Sequence, residues 1–356
     1  MLFRSVGAEP IRGGAVAVED GIIVAVGGRA ELLTAYPDAR VEELGCAILL
    51  PALVNDSTTS GTFVLRRPPE GARSGTAHDM PREAGILSVC ELRGIPAPRA
   101  LGVCTDESVI GAPFYVMEFV DGLVLRGTKP PARYDADTFA KLSERFLDPL
   151  VAIHGATPSD PVVGGLGKPM GYVQRQVEGW TTRWEKSKTD EVPSVDALAK
   201  WLDANQPSES GACLIHNDFK YDNLILDPKQ PGRIIAVLDW EMATLGDPLL
   251  DVGTSLGYWI EEGDHPAFKA LGLGMTALPG NHTRAQLWER YLKKSGRSSR
   301  SATWYHAYGV FKIAVIAQQI YARHKAGHAP DPRFAALGDA VRLLGEFGGS
   351  IAGSGA

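Results

Sequence analysis

The sequence predicts an α+β protein of two lobes, a small β-rich amino-terminal part and a mostly helical carboxy-terminal part. Three observations carry that expectation. Short apolar runs separated by turn residues fill the chain to about residue 120. From Asp135 onward apolar residues recur at helical spacing. Between those helices, short apolar runs enclose a set of polar residues, His216, Asp218, Asn223 and Asp239. With 356 residues there is chain enough for two or three structural units.

The first region, 1–56, is written in strand signals. Ala15–Val18 and Ile22–Val26 flank Glu19-Asp20-Gly21, and Asp-Gly between apolar runs marks a hairpin. A short helix is expected over Arg29–Ala35, then strands near Arg40–Leu44 and Ala47–Leu50, and the polar run Asp56 to Gly61 reads as a junction. The second region, 57–120, reads as strand, helix, strand, strand. Thr62–Arg66 is the first strand, and Asp79 caps a helix with Pro81 in its first turn, running to about Leu92. Ala100–Cys104 and Phe114–Phe119 follow.

The third region, 121–356, is helical. One amphipathic helix spans Asp135 to His154. Another spans Tyr172 to about Ser187, with Val173, Val177, Trp180 and Trp184 on one face as a core stripe. Strand runs at Leu224–Leu226 and Ile234–Leu238 interrupt the helices, and Asp247-Pro248 reads as the N-cap and first turn of another. Three more are expected near 283–295, 301–325 and 332–346.

Composition narrows the function classes. Hydrophobic residues at 44% and charged residues at 22% are ordinary for a core-forming protein. The net charge of -6 and the lack of a basic stripe argue against nucleic acid as a partner. Neither a signal-type apolar segment nor a run of 18 apolar residues is present, so no membrane association is expected. Cys46, Cys90, Cys104 and Cys213 are too scattered for a metal site and fit free thiols in a reducing cytoplasm. The sequons at Asn55 and Asn281 are then chance matches.

His216, Asp218 and Asn223 have the spacing H-x-D-x-x-x-x-N, followed by strands and Asp239. Phosphoryl transfer needs a carboxylate to take the acceptor hydroxyl's proton and hard oxygens to hold Mg²⁺ on the phosphates. Asp218 suits the first task. A tight hairpin would return Asp239 beside Asn223, so that both could ligate one metal cluster. His216 is expected to brace the loop by hydrogen bonds, and Asp222 and Asp227 to be turn or surface carboxylates. Glu241 is a candidate auxiliary metal group.

The segment Cys213 to Gly257, with Ile215-His216-Asn217-Asp218, Asn223-Leu224-Ile225-Leu226, Leu238-Asp239-Trp240-Glu241 and Gly246-Asp247-Pro248-Leu249-Leu250-Asp251, resembles the aminoglycoside phosphotransferase family. It looks most like the branch related to the kinase domain fused to some acyl-CoA dehydrogenases. Phe63–Pro69, Ala77–Met80, Gly111–Glu118, Gly171-Tyr172-Val173 and Trp184–Lys188 extend the likeness over about 62–346. The resemblance implies a bilobal protein-kinase-like fold, with Asp218 as catalytic carboxylate and Asn223 and Asp239 as Mg²⁺ ligands. It places Glu83 as the helix carboxylate, paired with a strand cation that reaches the nucleotide phosphates. That cation is Arg66, with Arg67 the alternative, where kinases place Lys; Arg binds phosphate bidentately. Met117, Glu118 and Val120 would lie in the hinge beside the adenine of ATP.

Residues 13–55 instead resemble the amino-terminal β segment of metal-dependent amidohydrolases, through Gly14–Val18, Asp20–Gly27 and Leu49–Asn55. The metal-binding His-x-His of that family is missing after Asn55, so its metal site cannot be assembled here. The segment stands where a kinase would have its first strands and glycine-rich loop, and its hairpin offers one turn glycine. The leading expectation is therefore a Mg²⁺-dependent, ATP-using kinase whose acceptor is a hydroxyl of an aminoglycoside-like molecule, another alcohol or a hydroxyacyl-CoA. The alternatives are a metal-dependent phosphate-ester or phosphotriester hydrolase at the same site, and a nucleotide-free binding module. Glu261, Glu262 and Asp264 could form an acidic rim for the acceptor or a solvated loop. An exposed edge of the β segment could pair two chains as a homodimer.

Overall fold

A computed structural model describes residues 2–3, 11–12, 14–19, 22–28, 34, 47–53, 60–68 and 79–354, apart from 108, 128, 269–273, 300 and 330. The chain divides into two compact units, Met1–Ser88 with Pro98–Val120, and Val89–Ala97 with Asp121–Ala356. The expected helix at Arg29–Ala35, apart from Thr34, and the strand near Arg40–Leu44 lie outside the described residues.

In the first unit, β1 (Leu2–Phe3) pairs with β2 (Ile11–Arg12), and β3 (Gly14–Glu19) with β4 (Ile22–Gly28). The second pair is the expected hairpin, closing with Glu19 opposite Ile22. A four-stranded antiparallel sheet has the order β5 (Ala47–Leu53), β6 (Ser60–Arg66), β8 (Phe114–Glu118), β7 (Ala100–Cys104). Strand β5, from the first region of the sequence, thus joins the sheet formed by the second region, and Ser60 and Gly61, expected in a junction, already belong to β6. Helix α1 (Met80–Leu92) begins after Asp79, whose carboxylate accepts the Arg82 N–H at 3.0 Å.

The second unit is built on helices whose apolar faces are legible in sequence. In α2 (Ala136–Ile153), Phe139, Leu142, Phe146, Leu150 and Ile153 are buried at steps of three and four, and Asp135 caps the Thr138 N–H. Helix α3 (Pro161–Gly165) is short. Helix α4 (Tyr172–Ser187) buries the stripe Val173, Val177, Trp180 and Trp184. Helix α5 (Pro193–Ala204) was not anticipated, although Pro193 sits in its first turn.

Two small hairpin-like pairs come next. Strand β9 (Cys213–Ile215) pairs with β12 (Thr244–Gly246), and β10 (Leu224–Leu226) pairs with β11 (Ile234–Val237). The β9–β12 pair was not anticipated, because its two strands are separated in sequence by the turn and the β10–β11 pair.

Helix α6 (Pro248–Tyr258) is capped by Asp247, which accepts from the Leu249 and Leu250 N–H groups and from Ser210. Helices α7 (Arg284–Ser295), α8 (Ala302–Lys325) and α9 (Leu337–Ser354) complete the unit. Helix α9 runs past the expected end at 346. Its glycines do not terminate it, because a Cβ at Gly345 would meet Ser194 and Val195, and one at Gly348 would meet Leu198 of α5. They permit close packing. Gly253 and Gly257 of α6 likewise face Tyr305 and Gly309 of α8, so those helices cross at near-backbone contact. Among the described residues, no helix is long and apolar enough to cross a membrane.

Candidate active site

The centre of the site is the turn between β9 and β10. Two non-glycine residues among those described have positive φ, Asn217 and Asp239, both at 66°. Side chains avoid this conformation unless surrounding contacts impose it, and such residues gather at functional sites.

The contacts at Asn217 are unusually complete. Asp251, from the first turn of α6, is fully buried and accepts the His216 and Asn217 N–H groups, each at 2.7 Å. It also meets His154 Nε2 at 3.1 Å, while His154 Nδ1 lies 2.6 Å from the Tyr291 hydroxyl. Burial pushes the Asp251 carboxyl upward, but the hydrogen bonds from His154 and from the His216 N–H outweigh it and hold the group below the usual carboxylate range. The Asn217 amide nitrogen donates to Tyr172 Oη and the Met242 carbonyl, both at 3.1 Å. Its carbonyl accepts from Lys312 Nζ at 2.7 Å.

His216 is fully buried, and burial lowers its basicity. Nε2 donates to the Leu238 carbonyl at 2.9 Å and Nδ1 accepts the Asp218 N–H at 3.2 Å. Those partners define the neutral tautomer and leave neither nitrogen for a substrate. The ring lies edge-on to Trp240, with centroids 4.9 Å apart.

Asp218 follows, with a side chain 16% exposed. Lys220 Nζ donates to both carboxylate oxygens, at 2.9 and 2.8 Å, and Asn223 Nδ2 to Oδ2 at 2.9 Å and to the Asp218 carbonyl at 2.8 Å. Below this loop, Phe146 of α2 packs on Phe219, Tyr221 and Trp259, with centroids about 5 Å apart.

Asn223 leads into β10 and Asp239 follows β11. Leu224 stands opposite Val237, and the Leu238 N–H donates to the Asn223 carbonyl at 2.8 Å, so Asp239 is one residue beyond the pairing partner of Asn223. The donor chemistry suits Mg²⁺. With its nitrogen committed to Asp218, Asn223 has its amide oxygen to offer, and Asp239 has a carboxylate, both hard oxygen donors. Among the described residues, no three or more His, Cys, Asp or Glu are grouped so that they could hold a metal ion. Asp227 accepts the Lys229 and Gln230 N–H groups as a turn carboxylate. Burial raises the Asp222 carboxyl.

In the first unit, Arg66 Nε lies 2.9 Å from Glu83 Oε1, which also accepts the Tyr115 hydroxyl at 2.8 Å. Arg66 and Tyr115 are cross-strand partners, and Glu83 lies in the first turn of α1. Arg67 turns to the Pro68 and Ile110 carbonyls, so Arg66 makes the ion pair. Met117 and Glu118 end β8, where the Glu118 N–H donates to the Arg99 carbonyl at 3.0 Å; Val120 lies two residues on. Glu261 and Asp264 are both paired with Arg284 rather than left as an acidic rim.

Sequence reasoning missed Lys220, Asp251 and Lys312. Lys220 lay inside the motif. Asp251 and Lys312 had a common signal, one ionisable residue in an apolar helical run, Leu249–Val252 and Val310–Val315.

Comparison with known proteins shows which family the chain is similar to. Residues 53–292 match the model of the phosphotransferase enzyme family APH, and residues 14–39 match an imidazolonepropionase-like composite domain of bacteria. Acyl-CoA dehydrogenase family member 10 of Mus musculus is 31% identical over 269 residues, 75% of this chain and 25% of that protein. Family member 11 of Rattus norvegicus is 32% identical over 300 residues, 81% of this chain and 37% of that protein. The chain thus spans well under half the length of these relatives. A crystal structure from Ralstonia eutropha JMP134, assigned provisionally as an aminoglycoside phosphotransferase, superposes with a TM-score of 0.72 and 28% identity, covering 91% of this chain and 98% of that one. With the family model matched over two-thirds of this chain, the chain belongs to the APH phosphotransferase family, with a kinase-like α+β fold and an amidohydrolase-like segment at its amino end.

Proposed function

We propose that this protein transfers the γ-phosphoryl group of ATP to a hydroxyl of a small molecule. The observation that carries the reading is the Asp218 carboxylate, presented by a left-handed turn and oriented by Lys220 and Asn223. As the acceptor oxygen bonds to the γ-phosphorus, the bond from that phosphorus to the β,γ-bridging oxygen breaks. ADP leaves, and Asp218 takes the hydroxyl proton. Asn223 and Asp239 would hold Mg²⁺, which when bound neutralises charge on the phosphate oxygens. Lys220 fixes the rotation of the Asp218 carboxylate. His216 acts by position, since both its ring nitrogens are bonded to backbone. In the first unit, Arg66, held by Glu83 and Tyr115, is the cation for the nucleotide phosphates, and Met117 to Val120 supply the backbone beside adenine.

The acceptor is a hydroxyl of an alcohol, of an aminoglycoside-like molecule or of a hydroxyacyl thioester; the acyl-CoA dehydrogenase relatives support including the last. The test is Mg²⁺-dependent transfer from ATP to a panel of these acceptors. Asp218→Asn should lower kcat by about 10²- to 10⁴-fold with Mg·ATP binding retained by calorimetry. Full activity in that variant would overturn the assignment. Turnover of an aryl phosphate ester without ATP would point to a hydrolase, and absence of Mg·ATP binding to a binding module.

A further inference from the structure

Helix α8 carries one cation in its buried apolar stretch. Lys312 is 2% exposed, between Val310, Phe311, Ile313 and Ala314, all buried. A buried ammonium is costly unless it is paired and hydrogen-bonded. Among the described residues Lys312 forms no ion pair; its Nζ bonds to the Asn217 carbonyl at 2.7 Å and lies 5.6 Å from the centre of the Trp180 ring. The glycine contacts between α6 and α8 bring this helix close enough for that reach.

The Asn217 carbonyl and the Asp218 N–H belong to one peptide unit, which is planar. Its N–H end is held by His216 Nδ1 and its C=O end by Lys312. Holding both ends sets the orientation of the plane that enters Asp218. The left-handed Asn217 is otherwise held from α4, α6 and the Met242 carbonyl, none of which touches its carbonyl.

We propose that Lys312 is a positioning residue for phosphoryl transfer, clamping the Asn217–Asp218 peptide so that the Asp218 carboxylate is presented to the acceptor. The inference rests on the reading of Asp218 as the group that takes the acceptor's proton. Burial depresses the Lys312 ammonium, the fields of Asp218 and Asp251 oppose the fall, and Lys220 and Arg183 add to it, leaving its pKa at about 8. The charged donor is the stronger clamp and is lost as pH rises through that value.

The experiment compares wild type with Lys312→Met, which removes the donor, and Lys312→Arg, which restores one. ADP release from Mg·ATP is followed with water and with simple alcohols as acceptors, and amide exchange is followed at Asp218. In Lys312→Met, kcat should fall about 10- to 100-fold with KM for ATP unchanged, and Lys312→Arg should recover part of it. The wild-type decline in kcat near pH 8 should vanish in the Met variant. Exchange at Asp218 should rise about tenfold while α9 keeps its protection. Wild-type kcat together with wild-type exchange at Asp218 in Lys312→Met would overturn the proposal. So would a general loss of protection across α8, which would mean that Lys312 only fills the core. Failure of the Asp218 reading leaves a different trace, wild-type turnover in Asp218→Asn, while exchange still reports whether Lys312 holds the turn.

Discussion

The two charged constellations of this molecule are built in opposite ways. The turn at Asn217 and Asp218 is gripped from α4, α6 and α8, by Tyr172, Asp251 and Lys312, residues 34 to 95 positions away in sequence. The Arg66–Glu83–Tyr115 group lies on two paired strands and the helix that follows, within one unit. In the first, buried polar groups are tied to backbone and depend on one another. In the second, a cation at the end of an inner strand pairs with one buried carboxylate, Glu83. The difference teaches that the geometry of the Asn217–Asp218 turn is a property of the whole helical unit, whereas the Arg66–Glu83 pair is a local feature of one sheet and its helix.

The largest effect should come from breaking the distant grip. Asp251→Ala strands two backbone N–H groups and His154 in the core, and should cost about 3–5 kcal/mol in urea unfolding. A loss under 1 kcal/mol would mean the turn holds itself. A smaller effect concerns acid. Burial depresses the His306 imidazole to about 3 in the second unit. Its folded value lies below the unfolded one, so the unfolded chain binds the extra proton. Stability present at pH 7 is therefore lost as pH falls below about 6.5, by about 2 kcal/mol at pH 5. Urea titrations at pH 7 and 5 should show a smaller drop for His306→Leu than for wild type. Arg66→Ala removes an ion partner of the buried Glu83 and should cost about 1–3 kcal/mol, accompanied by a raised KM for ATP. Arg66→Lys should preserve most of the ATP affinity; a collapse in stability there would erase the contrast.

Much of the second unit was legible. The helix stripe ending at Trp184, the Asp135 and Asp247 caps, and the return of β11 beside Asn223 all follow from spacing and capping chemistry within a few turns of chain. The end of α9 was misjudged because glycine usually breaks a helix when considered locally, while here Gly345 and Gly348 make room for α5. The pairing of β9 with β12 was missed because the whole Asp218 turn and the β10–β11 pair lie between the two strands in sequence.

His216, Asp218, Asn223 and Asp239 could be singled out from sequence because the geometry that brings them together depends on short-range order, a loop and a hairpin with residues at given steps. How Asp218 is held could not. Asp251 and Lys312 act across helix contacts set by side-chain volume and by glycines 52 to 56 residues apart, and a one-dimensional pattern carries no record of which buried charge will meet which backbone carbonyl or amide.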